Sequence, residues 1–527
     1  MPVETLDTTL RDGAQSFSIS FSTADKLEII SLLDSFGIDI IECGNPYSNP
    51  RDKELFRLLS ETRLKHARVA AFGQTAKKGI KPSEDENIQA LLGSHAQVAV
   101  IVGKSSQVQA EAILKASGQE NLDMVYSTVE FLKSKGMAVY YDAEHFFDAY
   151  KEDRLYAMHT LSAALSAGCD MAVLCDTNGA SLPSFVYEAS KDACNAHPGK
   201  IGIHCHDDRG MAVANSIAAV QAGCTHVQGT FNGYGERCGN ASLAVVLPVL
   251  ADEFGLLGDH IDLQKLTITA HAIATASELP LPESMPFVGV NAFAHKGGMH
   301  IDGMQKLEHA YEHIDPLAVG NKTKVLLSEV SGRGAVLEVL SRHLGHVEKD
   351  DERVALFLET LKKKEYGGYQ YEGAQASLEL LVLQTFGLFS LPYEVELYRV
   401  MGEKSIGSKS NIASAIVKVR VGNSAEIAAA EGNGPVNALD MALRRALESF
   451  YPALNSLSLT DYRVRVIDPK AATGAKVRVA MQSSDNITKK AYSTVGVSTD
   501  IIDASFKALL DAFAYHLFYS DAAMQGS

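Results

Sequence analysis

The chain has no apolar run that approaches membrane-spanning length, roughly 20 residues. A transmembrane anchor is therefore not expected. Positive charge is in the minority: 48 Lys and Arg stand against 64 Asp and Glu, a net charge of −16 at pH 7. That balance argues against nucleic acid or an anionic membrane as a partner and mostly serves solubility. Cysteine is scarce. There are seven, all in the first half, and none forms a Cys-x-x-Cys pair. Such usage predicts reduced, mostly buried thiols and a cytoplasmic setting. The start, Met1-Pro2-Val3-Glu4, leads straight into a strand-like segment, so a signal peptide is not expected.

With 527 residues and 46% hydrophobic composition, the chain is long and apolar enough for more than one large core. Eight strand-like runs occupy its first half: 3–8, 38–44, 68–73, 97–103, 138–144, 171–177, 200–206 and 225–232. Amphipathic stretches such as 23–36 and 121–135 separate them. Eight β-α units over roughly 250 residues predict a (β/α)8 TIM barrel. A doubly wound open sheet is the alternative. The expected division is a catalytic barrel over 1–270, helical linker subdomains over 271–377 and a C-terminal α+β domain over 378–527. Residues 401–410, rich in Gly, Ser and Lys, read as a loop. Within the last domain, 425–447 and 491–513 each run from an apolar strand through a glycine-containing turn into a helix, a loose internal duplication.

Polar residues fall at the ends of the barrel runs, where barrel active sites form. Arg11 and Asp12 follow the first run, and Glu42 and Asn45 close the second. Glu144 ends the fifth, Asp176-Thr177-Asn178 the sixth, His204 and His206 the seventh, and Asn232 the eighth. Residues i and i+2 of a strand face one way, so His204 and His206 converge while Cys205 points to the opposite, core face. With Asp12 they offer two nitrogens and a carboxylate to a divalent metal: Mn, Mg, Co or Zn. Asn240 adds a possible carbonyl oxygen. The bland reading is a structural histidine pair. Arg11 is either an ion-pair partner in the mouth or a stabiliser of a developing oxyanion. Glu144 positions Arg11 or a proton-carrying water, and either role keeps the two close. Thr177 donates its hydroxyl to a substrate carboxylate or caps the next segment. Beyond the barrel, His295 and His300 are candidates for a general base, or surface histidines of a Gly-rich turn. Tyr311 is a proton donor or a core residue.

Three motifs carry a resemblance. Leu10-Arg11-Asp12-Gly13-x-Gln15, His204-Cys205-His206-Asp207-Asp208 and Gly229-Thr230-x-Asn232-Gly233-x-Gly235-Glu236-Arg237-x-Gly239-Asn240 closely resemble the α-isopropylmalate/homocitrate/citramalate synthase family, whose members share the DRE-TIM barrel. The likeness runs nearly the whole length, including Gly432-Asn433-Gly434-Pro435-Val436-Asn437-Ala438. Segments 141–148, 295–300 and 371–377 look most like the longer citramalate synthases. The resemblance implies condensation of acetyl-CoA, as co-substrate, with pyruvate to (R)-citramalate and CoA, in isoleucine biosynthesis. It implies a homodimer and feedback by an amino-acid effector at the C-terminal domain. Carried over by motif, Asp12, His204, His206 and Asn240 match the metal shell, Arg11 and Glu144 the catalytic pair, and His300 a histidine of a mobile subdomain, with Tyr311 as its partner. Ala14 and Cys238 depart from the common Glu and Ala of the family and leave the ligands intact.

Three rivals remain. A sister synthase would use 2-oxoisovalerate or 2-oxoglutarate, and motifs do not separate it. A lyase of the hydroxymethylglutaryl-CoA type would carry a Gly-Cys-Pro-Tyr loop, whereas this chain has Asn232-Gly233-Tyr234. A catalytically silent amino-acid sensor would not need Arg11, Asp12, His204, His206 and Glu144 intact.

Overall fold

Each of the eight runs alternates side chains between two buried faces, so each strand needs a core on both sides. A closed barrel wrapped in helices supplies both. In the computed structural model the strands are β1 Glu4–Asp7, β2 Ile40–Glu42, β3 Arg68–Gln74, β4 Val98–Lys104, β5 Ala138–Glu144, β6 Met171–Asp176, β7 Ile201–Cys205 and β8 His226–Gly229. They pair in sequence order, all parallel, and β1 closes on β8 with Leu6 opposite Gln228. The expected (β/α)8 barrel is therefore the observed fold. The structure describes residues 2–525 except 296–299, 301–302, 305, 308–309, 326–336, 338–339, 342–350, 372, 404–411, 469–473 and 489.

Period-two alternation divides the apolar residues. Leu6, Ile40, Val98, Val100 and Val173 fill the barrel interior, whereas Ile41, Val69, Ala99, Ile101 and Ile203 pack under the helices. Cys205 lies with the outer set, as its position between the histidines predicts. Helix Thr23–Phe36 starts at a reciprocal Ser22–Asp25 capping box and stops at Gly37, whose φ of +104° only glycine takes readily. The N-terminal end of the barrel is tied by a polar network. Glu4 accepts from Arg68 (2.6 Å), Tyr140 (2.8 Å) and His226 (3.1 Å), joining four strands. Conservation of structure rather than chemistry is the usual task of that end.

The chain divides into two compact units: Met1–Phe293 with Glu312–Thr323, and Ala294–Tyr311 with Lys324–Ser527. In the second, a two-stranded ribbon (β9 Ala294–His295, β10 Lys324–Val325) precedes helices Glu352–Tyr366 and Gln375–Thr385. Two three-stranded antiparallel sheets follow, β11 Glu394–Glu403, β12 Ile412–Val421 and β13 Ser424–Gly432, then β14 Leu457–Val466, β15 Val477–Asp485 and β16 Ala491–Ser498. Each sheet is succeeded by a helix, Pro435–Leu447 or Ile501–Gln525, and the two share one apolar core. The echo in the sequence thus corresponds to two βββα modules. Residues 401–403 are the end of β11 rather than loop, and 404–410 lie outside the described residues.

Asp511, on the last helix, is half-buried between elements of this second unit. Ser377 donates to it at 2.5 Å and accepts from the Val495 amide at 2.9 Å. Burial pushes the Asp511 carboxyl up to about 6, despite the Ser377 bond and nearby Lys364. Its folded value lies above the unfolded one. The cost of ionising it in the fold is therefore absent below about pH 4, grows through pH 4–6 and is complete above. Asp511→Asn keeps an acceptor for Ser377 and removes that cost, about 3 kcal/mol. Thermal unfolding of the full chain should show the variant more stable at pH 7.5, with the gain disappearing at pH 4.

Candidate active site

Beyond β1 the chain makes a tight turn because three successive amides, of Arg11, Asp12 and Gly13, converge on the Thr8 carbonyl at 2.9–3.1 Å. Asp7 accepts from the Thr9 amide at 2.8 Å, a side-chain turn that Asp readily makes. The turn throws Arg11 and Asp12 into the barrel mouth. Arg11 Nε donates to Glu42 Oε2 at 2.7 Å, and its guanidinium lies 4.0 Å from the Phe72 ring centroid. Thr8 Oγ1 donates to the same Glu42 oxygen at 2.5 Å. The arginine head is thus fixed by a carboxylate on one edge and an aromatic face beneath.

His204 is in β7, and His206 sits one residue past it, in a backbone bridge with Asn240. Their Nε2 atoms are 3.4 Å apart and lie 3.5 and 3.8 Å from Asp12 Oδ2. A cation with bonds of about 2.1 Å spans about 3.0–3.4 Å between neighbouring donors, so small movements would seat one. Asp12, His204 and His206 are the buried cluster whose ligand atoms all lie within 4.8 Å of one another. Asp12 Oδ1 and Asn240 Oδ1 are buried without a hydrogen bond, as unfilled ligand oxygens would be. The donor set fits a divalent metal.

Electrostatics support that fit. Burial alone would raise the Asp12 carboxyl, yet Arg11, His204 and His206 hold it well below the usual carboxylate range. Burial lowers His204, but its contact with Asp12 overrides this and raises it. His206 is pushed down to about 4, first by burial and then by His204.

Asn240 is aimed by the glycines before it. At Gly235 (φ +158°) an added Cβ would lie 2.3 Å from Asn240 Nδ2, and at Gly239 (φ +95°) one would lie 2.1 Å from the Gly233 oxygen. Asn240 Nδ2 donates to the Tyr234 carbonyl at 3.1 Å, which turns Oδ1 away as the free atom. Arg237, itself in the left-handed region at φ +56°, grips Asp208 through two bonds of 2.8 and 2.9 Å and the Thr177 carbonyl at 2.7 Å. It ties together the loops after β6, β7 and β8.

Glu144 is expected close to Arg11, and among the described residues no ion pair joins the two. It forms an ion pair with Lys104, its register neighbour at the end of β4. Thr177 Oγ1 accepts the His145 amide at 2.8 Å, leaving its own proton available. His300 and Tyr311 belong to the second unit, where their rings stack at 4.1 Å and 9° and both residues are exposed. Their neighbours 296–299 lie outside the described residues. Sequence reading missed Lys104, Glu42 as the partner of Arg11, and the Gln228–Asp142 pair beneath His204. The rule that polar residues mark strand ends would have found Lys104.

A model of the HMGL-like family matches residues 2–273, more than half of the chain. The chain belongs to the HMGL-like family. Two further models match this HMGL-like chain: the homocitrate synthase post-HMGL domain-like family over 287–365, and the LeuA allosteric (dimerisation) domain over 372–517. Among its relatives, an (R)-citramalate synthase of Aquifex aeolicus is 43% identical over 97% of both chains. One of Sulfolobus acidocaldarius is 43% identical over 98% of this chain and 97% of its own. A 2-isopropylmalate synthase of Shewanella baltica is 31% identical over 96% of this chain and 93% of its own.

Gly239→Ala places a side chain on a left-handed backbone and against a carbonyl. A destabilisation of about 1–3 kcal/mol is expected from the strain alone, seen as a lowered Tm. Titration with Co2+ should show weakened binding as Asn240 is displaced.

Proposed function

We propose that the chain condenses acetyl-CoA with pyruvate to give (R)-citramalate and CoA, an entry step to isoleucine. One observation carries the reading: 43% identity along almost the whole of (R)-citramalate synthases, against 31% for a 2-isopropylmalate synthase. The arrangement of Arg11, Asp12, His204 and His206 at the barrel mouth agrees with it.

Asp12, His204 and His206, with the Asn240 oxygen, are the residues to hold a divalent cation: Mn, Mg, Co or Zn. When bound, that ion supplies Lewis acidity toward the keto oxygen and carboxylate of a 2-oxo acid. Thr177 directs its hydroxyl proton to the substrate carboxylate. His300, with Tyr311 stacked on it, takes the methyl proton of acetyl-CoA as general base. Arg11, locked by Glu42 and Phe72, stabilises the enolate oxygen that develops. Glu144, held by Lys104, orients water or the incoming thioester. The enolate carbon adds to the keto carbon. Water then cleaves the thioester, which releases CoA and makes the reaction effectively irreversible.

Thiol release from acetyl-CoA should be fastest, by kcat/KM, with pyruvate among pyruvate, 2-oxobutyrate, 2-oxoisovalerate and 2-oxoglutarate. A higher value for 2-oxoisovalerate would move the chain to the isopropylmalate branch. Arg11→Lys keeps the charge but not the forked donor geometry. It should lower kcat by 10²-fold or more, on the order expected for a lost oxyanion donor, with metal still bound. Wild-type kcat would remove Arg11 from the mechanism.

The C-terminal domain is the seat of a branched-chain amino-acid effector and of a homodimer. A cavity of about 630 Å³ opens beside Val436, Asn437, Asp440, Arg444 and Tyr462, just after Gly432 and Gly434. Gly432 is required for close approach, since a Cβ would meet the Ala438 amide at 2.6 Å; neither glycine has a positive φ. Asp440 and Arg444, ion-paired with each other at 3.3 Å, put charge of both signs on the cavity wall. Seven free thiols agree with a cytoplasmic setting, and among the described residues no helix is long and apolar enough to cross a membrane. Calorimetry of the full chain with isoleucine, leucine and valine should show one of them binding, with matching inhibition. No binding and no inhibition would make the domain structural.

A further inference from the structure

Beneath the metal-ligand cluster, the barrel interior holds a polar chain that the proposed chemistry does not use. His204 Nδ1 is 3.0 Å from Gln228 Oε1, and Gln228 Nε2 is 3.0 Å from Asp142 Oδ1. His204 and Gln228 are register partners on β7 and β8, and Asp142 reaches Gln228 from β5 across the barrel. All three residues are at most 4% exposed. Water does not compete for these bonds at such burial.

The orientation of the amide follows from the carboxylate. Asp142 is an acceptor, so the NH2 end of Gln228 must face it; a flipped amide would set oxygen against oxygen. The Gln228 oxygen then faces His204, and an oxygen accepts only from an N–H. His204 therefore carries its proton on Nδ1 and presents the Nε2 lone pair, the atom that faces Asp12 and His206. We propose that Gln228, clamped by Asp142, is a positioning residue that locks the ring angle and tautomer of His204 so that Nε2 ligates a divalent cation. This rests on the reading of Asp12, His204 and His206 as the ligand set. Asp142 thereby acts on the ion through two intervening side chains and not by contact.

Four variants of the full chain test it, with Co2+ as the probe. Affinity is read by calorimetry and ligand geometry by the visible Co2+ spectrum, neither of which involves turnover. Gln228→Leu and Asp142→Leu are expected to weaken Co2+ binding by about 10–100-fold, the usual loss when the partner of a ligating histidine is removed, and to change the spectrum. Asp142→Asn keeps an acceptor oxygen for the Gln228 NH2 and is expected to bind within about threefold of wild type, since lost outer partners alone account for the larger range. A charge effect of Asp142 would make the Asn and Leu variants equally weak, which would overturn the relay. Wild-type affinity in Gln228→Leu would also overturn it. His206→Ala separates the two failures. If it too binds normally, the ligand assignment is wrong; if it alone loses the ion, only the relay is wrong. Should either Leu variant fail to fold, a loss of affinity in the isosteric Asp142→Asn would still refute the proposal.

Discussion

The Asp12 carboxylate is the interaction on which the barrel mouth depends. A buried anion of this kind is tolerated only when opposite charge or strong donors surround it. Arg11 at 3.3 Å and the two imidazoles at 3.5 and 3.8 Å provide that surround. Each partner then needs fixing of its own. Arg11 takes Glu42 and Phe72, and His204 takes Gln228 and, behind it, Asp142. One carboxylate thus propagates order through β1, β2, β3, β5, β7 and β8. Asp12 Oδ1, Glu42 Oε1 and Asn240 Oδ1 are buried there without a hydrogen bond, which suits a site that binds a ligand.

The two ends of the barrel show the contrast. At the N-terminal end, Glu4 is bonded to Arg68, Tyr140 and His226, so the charge there has its partners. His226 and Tyr140 together hold the Glu4 carboxyl down to about 2 against the effect of its burial. At the C-terminal end two carboxylates, Asp12 and Glu42, share Arg11. Asp142 is pushed up to about 6 and Asp7 to about 7, mainly by burial. Two left-handed non-glycine residues, Arg237 and His145, also lie at this end.

Much of this was legible in the sequence because it is local. All eight barrel runs became strands, since period-two alternation acts over a few residues. The convergence of His204 and His206 follows from i, i+2 geometry, and Asp12 from its place after β1. The partners of those residues were not legible in the same way. Arg11 meets Glu42 across 31 residues, and Gln228 meets Asp142 across 86. Such pairs depend on which strand ends face each other across the mouth, which no spacing encodes. Glu144 and Arg11 were read as neighbours because both follow barrel strands at the same rim. The register of β4 and β5 instead puts Lys104 beside Glu144. The placement of His300 and Tyr311 belongs to the second unit, and periodicity in the barrel carries no information about it.

The second unit follows a different logic. Two copies of one βββα pattern each cover one sheet face with a helix, and the helices Pro435–Leu447 and Ile501–Gln525 merge those halves into a single core. In the first sheet Leu397 and Ile427 flank Lys418 on the face away from the helix and are exposed, whereas in the second the exposed Leu459 and Val464 lie on the helix side, opposite Ser483 and Val479. The same chain therefore carries a barrel mouth organised around a buried charge and a second unit organised around one apolar core that its two modules share.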